Sequence, residues 1–409
     1  MDDRFSSRRS DYPGAENWTY FDVSARGLIS RGVRAAIDAY LDHRMTEGGN
    51  KEWMFSVVEE TRGRFADLIG AARDEISITK NVSDSINAFA AALPWRPGDN
   101  VVVCQALEHP ANIFPWQNLA RQRGIVVKTV QPEAGRVPVD QLTRAIDGNT
   151  RLVTVSTVSF APGFIFPVVE MARLCRSRGV LLIVDAAQSV GVLHTDVTEL
   201  GVDALVASTQ KGLLALYGLG FLYVRRDLAE ILSPAYLSRP GVRISAEHEA
   251  AAGDVAHYDL AVAARRFDVG NFNYVGVIAV HRAMEEIASL GTRAIEARVC
   301  GLAQRLAEAL SETGLPVFGG TDCRDRRHIV AIGHALTEEH DATNDAMLLE
   351  LHDHFMAARI RHTIRRGMLR LSLHLYNNED DVGTAVAAAR AFMRRQARPA
   401  DMPSAPGRL

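Results

Sequence analysis

Apolar and polar positions alternate on two length scales along this chain. Short unbroken apolar runs are separated by longer stretches of helical period. Ile76-Ser77-Ile78 precedes a helical stretch through Ile86-Asn87-Ala88-Phe89, and Val101-Val102-Val103-Cys104 follows the turn Arg96-Pro97-Gly98-Asp99. Ile125-Val126-Val127 comes after the helix-like segment Trp116 to Gln122. Leu152-Val153-Thr154-Val155 is followed by a helix from Val168 to Arg178 and then by Val180-Leu181-Leu182-Ile183-Val184. Asp203 to Ala207 and Phe221-Leu222-Tyr223-Val224 close the series. Apolar runs of this length read as buried strands, and their alternation with helices predicts an α/β domain with a mostly parallel central sheet.

The pattern changes after about Asn273. Two long helical periods, Gly276 to Leu290 and Thr292 to Thr313, lead to shorter strands at His328 to Ile332 and Leu369 to Leu373. The expected organisation is a polar N-terminal arm over residues 1–18, a large α/β domain over 19–273, a smaller C-terminal α+β domain over 274–395, and a disordered tail over 396–409.

In a parallel sheet flanked by helices, ligands sit beyond the carboxyl ends of the strands. Two polar residues fall there. Asp185 ends the run Val180 to Val184, and Lys211 ends Ala207-Ser208-Thr209-Gln210-Lys211. A desolvated lysine amine can condense with an aldehyde, and a carboxylate can hold a pyridine nitrogen protonated. The pair is what pyridoxal phosphate requires. Either residue alone is more often a solvated or capping side chain.

Composition narrows the field. The chain has 409 residues, 47% hydrophobic, enough for a large core. Its net charge of -3 offers no basic field for nucleic acid or anionic membrane. Its first residues lack an apolar signal core, and no apolar stretch is long enough to span a bilayer. The four cysteines, Cys104, Cys175, Cys300 and Cys323, show no CxxC pair and no metal-ligand spacing, so a reducing cytoplasmic setting is expected. His352, His354 and His248 match no metal motif. Gly218-Leu219-Gly220 lacks the third glycine of a dinucleotide site.

Six motifs in order carry a resemblance. They are Glu108-His109-Pro110-Ala111-Asn112, Val184-Asp185-Ala186-Ala187-Gln188, Ser208-Thr209-Gln210-Lys211, Tyr217 to Val224, Arg266 to Asn273, and Arg370-Leu371-Ser372-Leu373-His374-Leu375-Tyr376-Asn377. Together they resemble the fold-type I pyridoxal phosphate enzymes of aminotransferase class V. The nearest branch holds cysteine desulfurases, selenocysteine lyases and isopenicillin N epimerase-like enzymes. The resemblance runs from about Tyr20 to Arg394.

It implies a role for each matching residue. Lys211 carries the cofactor and shuttles the substrate Cα proton. Asp185 protonates the ring nitrogen, Gln188 donates to the ring oxygen, and His109 stacks on the ring. The phosphate falls to Asn81, Val82 and Ser83 at a helix N-terminus, with Ser208 and Gln210 as further donors. Asn271 reaches the phosphate from a neighbouring subunit, which implies a homodimer with shared sites. Arg370 takes the substrate α-carboxylate as a bidentate pair. Arg359, Arg361, Arg365 and Arg366 read as a solvated basic face, from which one could read a second acidic group. The loops Asp22 to Gly27 and Arg239 to Tyr258 are expected to set side-chain specificity at the dimer interface.

Three departures matter. Gln210 stands where this branch has a histidine. Phe160 stands where desulfurases have an asparagine near the ring oxygen. The segment Arg359 to Leu369 contains no cysteine, whereas desulfurases of this type place there the thiol that accepts sulfur as a persulfide. The expected reaction is therefore β-elimination from a cysteine-like amino acid, a C–S lyase without a persulfide thiol. Epimerisation, transamination and decarboxylating deamination share its early chemistry. A family member that binds a partner without catalysis is the alternative of another class. It conflicts with the joint presence of Lys211, Asp185, His109 and Arg370.

Overall fold

The computed structural model of the chain describes residues 3–244, 258–320, 322, 327–334 and 336–397. Seven strands form the main sheet: Ile76–Thr79 (β1), Asn100–Val103 (β2), Val126–Thr129 (β3), Thr150–Ser156 (β4), Leu181–Asp185 (β5), Ala204–Ser208 (β6) and Gly220–Val224 (β7). Their order is β1-β7-β6-β5-β4-β2-β3. All run parallel except β7, which is antiparallel to both β6 and β1.

The apolar runs are continuous because both faces of this sheet are covered. Successive residues of a strand point to opposite faces. Leu182 and Val184 enter one buried cluster and Ile183 the other; Leu205 and Ala207 enter the first, Ala204 and Val206 the second. The edge strand β3 is largely exposed and carries Lys128, a residue type that discourages further strand pairing.

A second, antiparallel sheet lies in the C-terminal part. Ile329–Ile332 (β8), Thr363–Arg365 (β9) and Met368–Ser372 (β10) pair in the order β8-β10-β9. β9 and β10 are joined through Arg366 and Gly367, both at positive φ (49° and 81°), the geometry of a two-residue hairpin turn.

The N-terminal segment differs from the expected polar arm. Residues Asp3–Arg9 and Pro13–Asn17 are helical, and Phe5, Tyr12 and Ala15 are buried in the core. Arg9 forms an ion pair with the buried Asp381 at 2.8 Å. Apolar residues spaced too widely to register as a period still fill a groove on the folded body. Thr19–Tyr20 then pairs in parallel with Ile360–Arg361, which ties the chain start to its C-terminal part. The helix Tyr274–Leu290, expected to open the smaller domain, packs on helices Arg31–Glu47 and Lys51–Leu68. The C-terminal helix Glu379–Gln396 reaches the edge of the expected tail, whose residues 398–409 lie outside the described residues. No helix among the described residues is long and apolar enough to cross a membrane.

Candidate active site

β1, β2, β4, β5 and β6 run in the same direction, so their carboxyl ends open on one side of the sheet. There a cleft of about 360 Å³ is lined by Asn81, Val82, Ser83, His109, Asp185, Gln188, Ser208, Gln210, Lys211 and Arg370. Ten of the eleven residues singled out in the sequence thus meet in one cavity; Asn271 does not. A wider groove of about 830 Å³ elsewhere includes Asn271 but contains no lysine.

Asp185 ends β5, and its Oδ1 accepts from the Ala187 amide at 2.9 Å. Burial pushes its carboxyl up, while Lys211 and the Ala187 amide hold it down. Lys211 follows β6. Burial pushes its ammonium down to about 8, against the raising effect of Asp185; Arg370 and Arg365 add to the lowering. The two loops meet because both are glycine at the crossing. A Cβ on Gly212 would lie 2.3 Å from the Val190 carbonyl oxygen, and one on Gly191 2.3 Å from that of Gly212. From the other side, His374 bonds the Gly212 carbonyl through Nε2 at 2.8 Å.

The segment Glu108 to Asn112 is pinned to the end of β4. Glu108 accepts from the Ser156 amide and hydroxyl, each at 2.6 Å, and from Asn112 at 2.8 Å. Asn112 in turn accepts from Thr154 and Trp116. This locates His109 beside the strand that carries Asp185. Its Nδ1 accepts from the Ala111 amide at 3.2 Å, so the proton of the neutral ring is on Nε2. The ring faces the open cleft, yet the protein around it, followed by the charge of Lys211, pushes it down to about 4.

Helix Val82–Ala92 begins at the cleft. Asn81 caps it, accepting from the Asp84 amide at 2.9 Å. The first-turn amides have no partner within the helix and favour an anion. Gly220 allows the approach: a Cβ there would lie 2.9 Å from Asn81 Cα.

Arg370, on β10, is buried. It donates to the Phe160 carbonyl at 2.7 Å and to Thr363 Oγ1 at 3.2 Å, while its Nε has no protein partner. Burial pushes it down to about 10, against the raising effect of Asp22. It stays a cation at neutral pH.

Sequence reasoning gave no individual role to Ser24, Arg26, Tyr217 and His340, which also line the cleft. His340 lies in an irregular loop with no motif around it. Arg26 sits in the Asp22 to Gly27 loop, which reaches this chain's own cleft, and bonds the Tyr217 hydroxyl at 3.2 Å. The basic segment is not a solvated face. Arg365 lines the cleft, and Arg366 bonds the carbonyls of Thr337 and Ala106 across a packed boundary. Of the four arginines, Arg359 alone is exposed. The short hairpin folds Arg365 and Arg366 inward, which charge counting cannot foresee. Residues 245–257, within the second expected specificity loop and including His248, lie outside the described residues. Among the described residues no three His, Cys, Asp or Glu side chains gather as a metal site would require.

The family profile Aminotransferase class-V matches residues 19–384. The chain belongs to the class-V aminotransferase family. It is accordingly a pyridoxal phosphate-dependent enzyme. A probable cysteine desulfurase of Pyrococcus abyssi is 28% identical over 393 residues, covering 92% of this chain and 94% of that protein. The apo structure of a cysteine desulfurase from Thermococcus onnurineus NA1 superimposes with a TM-score of 0.81 at 26% identity, covering 95% of this chain and 98% of that one. The cystine C–S lyase C-DES shares the fold, with a TM-score of 0.81 at 22% identity over 93% of this chain and 99% of that one. The sheet order and flanking helices are those of fold-type I.

The cleft fits the cofactor of this family. Ser208 Oγ is a buried polar atom with no protein partner. Such atoms are rare in a finished protein and are expected where a ligand supplies the contact.

Proposed function

We propose that this protein is a C–S β-lyase, which cleaves a cysteine-like amino acid without a sulfur-accepting thiol. The observation that carries this is the composition of the cleft. None of its lining residues among those described is a cysteine, and the segment Arg359 to Leu369, which would bear the acceptor, contains none and folds into a hairpin closed by the turn Arg366-Gly367. Cys104, Cys175 and Cys300 lie elsewhere, and burial pushes each of their thiols up to about 12. A thiol held neutral is a poor nucleophile.

Asn81, Val82, Ser83, Ser208 and Gln210 would hold the cofactor phosphate, Asp185 its ring nitrogen, Gln188 its ring oxygen, and Lys211 its aldehyde. When bound, the cofactor supplies an electron sink for the Cα–H bond. Arg370 holds the α-carboxylate and fixes the amino acid relative to Lys211. Lys211 Nζ, released to the cleft, takes the Cα proton. His109 covers the site with a neutral ring whose proton is on Nε2. Asn271 serves the partner's phosphate in a homodimer; it lies outside the cleft of its own chain, as that role requires.

Product analysis tests the reading. With a cysteine thioether or cystine, a lyase yields pyruvate, ammonium and a free thiol or persulfide. Alanine with sulfur left on the protein would overturn the proposal in favour of a desulfurase. Exchange of the Cα proton without cleavage would point to epimerisation or transamination.

A further inference from the structure

Two cations that line the cleft, Arg26 and Arg365, have no part in holding the cofactor or the α-carboxylate. Among the described residues, Lys211, Arg26, Arg365 and Arg370 line it with one carboxylate, that of Asp185. Two of these arginines are arranged as a pair. Arg370 is in register with Thr363 across the β9–β10 hairpin. Arg365 is two residues further along β9, hence on the same face as Thr363 and displaced by roughly 7 Å along the strand. That spacing suits an amino acid with a second acid several bonds from its α-carboxylate.

Arg365 is less deeply buried than Arg370, its side chain 20% exposed. It forms an ion pair with Asp341 at 2.8 Å, and the Asp341 side chain is 64% exposed. The carboxylate that Arg365 holds is thus a solvent-facing one, which a ligand anion could replace. Next to it, the ring of His340 stacks on Phe160 with centroids 5.7 Å apart. The loop carrying His340 and Asp341 is fixed to the hairpin by backbone bonds, Arg366 to His340 at 3.1 Å and Gly367 to Ala342 at 3.0 Å. A cation beside a flat wall is a built subsite.

Resting on the C–S lyase reading, we propose that Arg365 binds an acidic group, carboxylate or sulfonate, on the sulfur-borne leaving group of the substrate. Asp341 holds that position until the substrate arrives. The substrate class is an S-substituted cysteine with a second anion. In its cleavage the Cα proton passes to Lys211, and the Cβ–S bond breaks with its electron pair staying on sulfur. The sulfur takes a proton, and an acidic thiol leaves. The three-carbon remainder reacts with water to give pyruvate and ammonium, with no oxidant or reductant.

The test compares S-carboxymethylcysteine with its neutral isostere S-carbamoylmethylcysteine, and S-(2-sulfoethyl)cysteine as the sulfonate, on the holoenzyme. A charge-assisted contact predicts a kcat/KM preference for the acid over the amide of roughly ten- to hundredfold. Arg365→Gln should bring that ratio close to one, and Asp341→Asn should raise it. Which acid gains most identifies the carboxylate or the sulfonate. A ratio near one in the wild type, or one that survives Arg365→Gln, overturns the inference. If no S-substituted cysteine is cleaved, the lyase reading fails instead, and calorimetric titration of the Lys211→Ala holoprotein decides Arg365 separately. Tighter binding of the acid than of the amide, lost on adding Arg365→Gln, upholds the subsite; equal binding overturns it.

Discussion

At the scale of single residues, the chemistry turns on burial. Lys211 has an ordinary amine in an unusual place, where loss of hydration brings its ammonium down to about 8. Below that pH the amine is protonated and cannot attack an aldehyde; above it the amine is neutral. Covalent capture of pyridoxal phosphate by the apoprotein should therefore accelerate with pH through a midpoint near 8. Stopped-flow absorbance between about pH 6.5 and 9.5 would measure it. A rate still rising steeply at the upper limit would mean an unperturbed lysine. Arg370 differs in kind, for its planar fork matters more than its charge. Arg370→Lys keeps the cation but loses the bonds to Phe160 and Thr363. A fall in kcat/KM of about tenfold or more is expected, with the cofactor spectrum intact. An unchanged kcat/KM would remove Arg370 from the substrate site.

At the scale of elements, the site is made by loops leaving parallel strands, and their approach is set by small residues. The loops after β5 and β6 touch at Gly191 and Gly212, with no room for a Cβ on either. Gly212→Ala should push the lysine loop away from Asp185. Overpacking of this kind costs about 1–3 kcal/mol. Thermal unfolding should show a lowered midpoint, and the purified protein should hold less cofactor. Wild-type stability and loading together would contradict the crossing as described. The elements themselves were legible in the sequence, because strands covered on both faces leave unbroken apolar runs. So were Asp185 and Lys211, as polar residues ending such runs. His340 and the inward turn of Arg365 were not, because an irregular loop has no period and a hairpin's direction depends on turn geometry. The N-terminal helices were missed for a related reason: Phe5 and Tyr12 are buried by the body they dock on, not by a face of their own.

At the scale of the whole molecule, the reading predicts shared sites. Asn271 lies away from the cleft that contains Lys211 of the same chain, and the segment bearing it is anchored by the buried ion pair Arg62–Asp268 at 2.7 Å. If Asn271 serves the partner, an Asn271→Ala enzyme should turn over slowly and gain rate when mixed with the inactive Lys211→Ala protein. The second chain would supply the missing amide in trans. No gain after verified subunit exchange would place Asn271 outside the site. The largest claim is that the chain needs no thiol of its own. The described cysteines are outside the cleft, and the fourth, Cys323, lies outside the described residues. The most direct measurement is turnover of a cysteine thioether by a folded variant with all four cysteines replaced. The account predicts retained turnover, with one pyruvate for each thiol released. Loss of turnover on replacing one cysteine, with a persulfide accumulating on that residue in the wild type, would contradict it.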